Sequence, residues 1–123
     1  MDASEAVDRI DVLVERAASD REAFEQPEAP TADDRAMAYL REGLGPAVWT
    51  YVEARTNGLV VIPPDDFARL EGAMNDWLEL YSRCYGTDIE ADFTIREAAE
   101  LLIETRNIRD VAQLLTHVPQ RPA

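Results

Sequence analysis

Groups able to act as nucleophile, general base or soft metal ligand are scarce in this sequence. Cys84 is the one cysteine and His117 the one histidine of 123 residues. No Cys/His metal cluster and no Cys/His/Asn nucleophile set can extend beyond that single pair. Cys84 sits in a run of helical spacing beside Tyr81 and Tyr85 and reads as a small core hydrophobe. His117 falls near a helix end, where an imidazolium suits the dipole. Carboxylates are abundant, but the sequence contains no EF-hand loop, no Glu-x-x-His helix pair and no glycine-rich phosphate loop. The doublets at 33–34 and 65–66 (Asp33, Asp34, Asp65, Asp66) stand where first-turn acids favour a helix N-terminus. These residues point to no enzyme, no cofactor and no bound metal.

Recognition chemistry is better represented. Tyr39, Trp49, Tyr51, Phe67, Trp77, Tyr81 and Tyr85 give the chain large apolar bodies, most with a polar handle. The stripe from Phe67 to Tyr85 is wider than one helix needs for its own core, so it predicts a face that serves both core and partner. Trp77, Tyr81, Tyr85 and Trp49 are the candidate interaction face. The expected occupant is a protein partner or a second copy of the chain, as in a homodimer. The reading is a non-enzymatic interaction or regulatory module.

Charge is unevenly spread. The chain carries 25 acids against 12 basic residues, all arginine, for a net −13. Residues 94–123 hold four of each and are neutral, so residues 1–93 carry the whole excess. Only the C-terminal quarter can approach a polyanion without strong repulsion. Its nonapeptide Thr94 to Leu102, TIREAAELL, resembles the opening of the helix-turn-helix in MerR-like and excisionase-type DNA-binding proteins. That resemblance implies a transcriptional regulator with Arg106, Arg109 and Gln113 near DNA, reading base edges. The residues taken alone read as a capped helical hairpin in which Arg96 and Arg109 pair with neighbouring acids and Arg106 faces Asp110 four positions on. A nucleic-acid partner is the alternative to the protein partner.

Composition bounds the rest. An apolar fraction of 46% is too high for a disordered acidic tail. An acid-rich surface that uses arginine and never lysine stays hydrated where ions compete for water, and its self-repulsion is screened there. In this the chain resembles small acidic proteins of salt-accumulating haloarchaea, a likeness that implies a halophilic cytosol and no activity. The N-terminal residues offer neither a basic start nor an apolar run suited to a signal peptide, so a cytoplasmic location is expected. The apolar stretch Leu59 to Ile62, even with Pro63 and Pro64 added, falls far short of the roughly 20 residues of a membrane span.

The elements that would position these residues are all helical. The predicted fold is all-α, a compact bundle of five or six helices over about 4–25, 33–43, 46–56, 65–85, 95–106 and 108–117. Residues 1–123 form one domain, with 94–123 as the C-terminal hairpin. Val7, Ile10, Val14, Ala17 and Phe24 make the first stripe, capped by Ser4. Thr31 with Asp34 reads as a capping-box variant. Gly43, Gly45 and Pro46 interrupt the second stripe, giving two helices or one kinked helix closed by Asn57 and Gly58. Leu59 to Ile62 is expected as a buried connector. Thr94 with Glu97 is a capping box, and Asn107 with Asp110 a second cap.

Overall fold

A computed structural model describes residues 1–56 and 60–119. Among these the chain is helical with no strand: α1 (Ala3–Ala23), α2 (Ala32–Tyr39), α3 (Gly45–Thr56), α4 (Pro64–Cys84), α5 (Ile95–Thr105) and α6 (Ile108–Thr116). A 3₁₀ turn at Ala29–Thr31 precedes α2, and a π-helical turn at Leu40–Leu44 joins α2 to α3. The expected all-α bundle is therefore present.

α4 runs through the middle, packed by α1, α2, α3, α6 and the π-turn, while α5 rests on α3 and α6. Pro64 at its first position and Asp65 and Asp66 in its first turn suit the N-terminal dipole. Leu70, Met74, Trp77, Leu78, Leu80 and Tyr81 are fully buried. Gly86, at φ +78°, ends it as a left-handed residue.

Helix starts divide sharply between those the sequence marks and those it does not. Thr94 and Glu97 form the expected reciprocal box, with the Glu97 amide donating to Thr94 Oγ1 at 3.1 Å. Asn107 Oδ1 accepts from the amides of Arg109 and Asp110. At the first helix, however, the cap is Asp2, accepting from the Glu5 amide at 2.8 Å, and not Ser4. The buried stripe of α1 is Ala6, Ile10, Leu13 and Ala17, with Val7 and Val14 at its edge. Thr31 caps nothing: the 3₁₀ turn already engages it, and its hydroxyl donates to the Glu28 carbonyl.

Pro46 does not break the second rod. Its missing amide is absorbed by the π-turn, in which the Gly45 amide donates to the Leu40 carbonyl. The Glu42 carbonyl, which a residue 46 amide would otherwise reach, accepts from Arg16 Nη1 at 3.0 Å. Helix thus continues without a gap from Ala32 to Thr56. The expected close at Asn57 and Gly58, and Leu59 of the connector, lie outside the described residues. The remainder of that connector is not buried: Val61 is 79% exposed.

The segment between α4 and α5 is held by a polar row on α4. Glu71, Asn75 and Glu79 share one side of the helix at four-residue spacing. Glu79 Oε2 accepts from the Ala91 amide and Glu71 Oε2 from the Ile95 amide. Asn75 binds Phe93 twice, donating to its carbonyl at 3.0 Å and accepting from its amide at 2.9 Å.

Candidate interaction face

The four aromatic residues expected to meet a partner separate in the structure. Trp77 and Tyr81 have no exposed surface. Trp77 donates through Nε1 to Asp20 Oδ2 at 2.9 Å, and Tyr81 through its hydroxyl to the Val118 carbonyl at 2.6 Å. Five elements surround α4, so the centre of its broad apolar stripe is taken up by the core, and its ends, Phe67 and Tyr85, are only partly buried. Tyr85 is half-buried and donates to Asp33 Oδ1 at 2.6 Å. Trp49 alone of the four is a surface residue, 53% exposed on a helix whose Ala47, Val48, Val52 and Ala54 are buried.

Trp49 stands between two clefts. One, of about 400 Å³, lies between α1 and α3 and is lined by Asp8, Arg9, Val12, Leu13, Pro46 and Thr50 beside the indole. The other, also about 400 Å³, lies between α3 and α5 and is lined by Val52, Leu102, Ile103 and Arg106 with the same indole. Val12 is 54% and Ile103 64% exposed. Three of the large apolar side chains left in water thus form one band across α1, α3 and α5. Trp49 is found by residue type, as an aromatic; Val12 lies off the α1 stripe, and Ile103, within the apolar pattern of α5, carries no sign in the sequence that it faces water.

Arginines border this band. Arg9 pairs with Glu53 at 2.9 Å and Arg96 with Glu100 at 3.2 Å. Arg55 lies over the Tyr51 ring at 6.0 Å, and Arg55, Arg96 and Glu100 line a further cleft that shares Val52 and Ile103 with the band. Arg106, left-handed at φ +54°, closes α5 and lines the cleft beside Ile103; it is not paired with Asp110 among the described residues.

The other two residues proposed for base contact are engaged within the fold. Arg109 reaches Asp33 Oδ1 on α2 at 3.8 Å, and Gln113 Nε2 donates to the Pro119 carbonyl at 3.4 Å. α5 remains helical through Ile103 and Glu104 to Thr105, and the turn to α6 consists of Arg106 and Asn107.

Tyr81, Tyr85, Asp33 and Arg109 lie close together where α2, α4 and α6 meet. Burial pushes the Tyr81 hydroxyl up to about 12, with Arg109 opposing and Asp33 adding to the rise. Burial and the bond to Asp33 also raise Tyr85 strongly, and burial raises the Cys84 thiol. His117, the left-handed cap of α6, is exposed. Among the described residues no group of three His, Cys, Asp or Glu side chains is placed to hold a metal ion, and no helix is long and apolar enough to cross a membrane.

The family model described as Domain of unknown function (DUF8055) matches residues 4–120. No curated protein and no solved structure matches the chain.

Proposed function

The chain belongs to the DUF8055 family, and on that premise we propose that it is a non-enzymatic protein-interaction module that docks through Val12, Trp49 and Ile103. The observation that carries this reading is the continuity of the band: one indole forms a wall of both apolar clefts, with a half-exposed aliphatic residue on either side. Covering each of the three side chains returns roughly 1 kcal/mol of hydrophobic free energy, since complete burial of such a residue is worth about 1.5–3 kcal/mol. Tryptophan and arginine are among the residue types that most often dominate binding energy at protein interfaces, and here Arg9 and Arg106 line the two clefts that share Trp49. Gln113 donates within the fold to the Pro119 carbonyl and Arg109 leans on Asp33 at 3.8 Å, so neither adds an observation in favour of the helix-turn-helix alternative.

The acidic, lysine-free composition supports placing this module in the salt-rich cytosol of a halophile. A photo-crosslinking residue at position 49, in the full chain inside its native host, tests the docking face. We expect a protein adduct of defined mass that is lost when Ile103→Glu is added and is absent when the probe replaces Val61. If position 49 gives no adduct, or Val61 gives the same one, the face is not a docking surface.

A further inference from the structure

Resting on that docking face, we infer that its occupant is a second copy of this chain, related by a two-fold axis passing beside Trp49 and perpendicular to the band. Shape and charge both point there. Trp49 projects between two clefts, so the face carries a knob and holes together. A two-fold operation turns such a patch onto itself reversed, seating each indole beside the other and laying the Val12 flank of one copy against the Ile103 flank of its partner.

The charges have the matching asymmetry. The α1 flank bears Asp8, Arg9 and Glu53, one acid in excess. The α5 flank bears Arg55, Arg96 and Arg106 against Glu100, two arginines in excess. Reversal sets the negative flank of each copy on the positive flank of the other, on both sides of the axis. The face as a whole holds four arginines and three acids, which leaves eight arginines and 22 acids on the rest of the chain. Over the rest of the chain acids outnumber arginines 22 to eight, so two copies meeting there bring together, on average, more acid than this face does. A partner unrelated to this chain would have to supply the same polarity and the same projection; a second copy has both.

Sedimentation equilibrium of the purified full chain across the micromolar range, in molar KCl to screen the repulsion between two chains of charge −13, reads the association directly. A dimer is expected, and Trp49→Glu should lower its association constant on the order of a hundredfold, as loss of a central anchor does, with the far-ultraviolet dichroism unchanged. Geometry is read by mixing equal amounts of chains carrying Val12→Cys and chains carrying Ile103→Cys: the mixed disulfide should far exceed the twofold excess over each homodisulfide that random pairing gives. A monomer throughout the range, a dimer indifferent to Trp49→Glu, or a mixed fraction at or below that of random pairing overturns the inference. A monomer whose position 49 still crosslinks to a different protein overturns the second copy and leaves the docking face standing; a monomer with no adduct overturns both.

Discussion

The Trp77 indole occupies the space that a Cβ on Gly43 would fill. The π-turn therefore meets α4 with backbone against ring, and Asp20 of α1 holds the ring's Nε1. Gly43→Ala sets two effects against each other. Helix propensity favours alanine by about 1 kcal/mol, whereas forcing a methyl group into a buried ring costs about 1–3 kcal/mol and sometimes more. Trp77 is bicyclic, rigid and fully enclosed, so the overlap should dominate, with a net loss of about 2 kcal/mol. Gly72, also within a helix, has no atom within 4 Å of the place an alanine methyl would take, and Gly72→Ala should stabilise by about 1 kcal/mol. Urea unfolding of both variants checks the opposite signs; a stabilised Gly43→Ala chain would show that the ring can move aside.

Asn75 is the two-way clasp on the segment before α5. Its amide satisfies both the carbonyl and the amide of Phe93, and Asn75→Ala leaves two partly buried backbone groups without a partner. The expected cost is about 2 kcal/mol. Hydrogen exchange adds a local readout, because the Phe93 amide should lose protection before the amides of central α4 do. Equal protection in the variant would mean that Glu71 and Glu79 suffice to hold the segment.

Stability should fall in alkali through Tyr81. Its hydroxyl is buried and donates to the Val118 carbonyl, and its folded pKa is pushed from 10.0 to about 12. Between those values the unfolded chain has released a proton that the folded chain keeps, so the unfolding free energy declines as pH rises. The contribution is complete below pH 10 and disappears as pH climbs through about 12. Tyr85, raised in the same direction, adds to the slope. In a denaturant series across that window, Tyr81→Phe should show a shallower decline than the parent; an identical slope would assign the whole effect elsewhere.

Local signals in the sequence were legible and depended on few neighbours. The Thr94–Glu97 box, the Asn107 cap and the α4 stripe each involve residues a turn or so apart. Thr31 misled because its hydroxyl found the Glu28 carbonyl in a 3₁₀ turn that pattern reasoning does not show. The interaction face was legible at one residue only. A helical stripe has a direction but no depth: the width of the α4 stripe measures how many elements surround it, and with five packed there Trp77 and Tyr81 are interior. Val12 and Ile103 become neighbours of Trp49 only when three helices are brought side by side. The row Glu71, Asn75 and Glu79 carries a sequence signal, polar residues at four-residue spacing on a largely apolar helix, but its backbone partners lie up to 24 positions away.

The wide turn before Pro46 also sets the azimuth of everything after it. A π-helical turn inserts one residue into an α-helical rod, and at 3.6 residues per turn that rotates the following segment by about 100° about its axis. Excising a single residue between Leu40 and Leu44 would wind α3 back by that angle. Val48 and Val52, now seated against α4 and its neighbours, would be carried off the interior, and Trp49 would leave the outer wall for a different bearing. One surplus residue in the rod therefore acts as an indexing step, deciding which side of α3 is lining and which is façade.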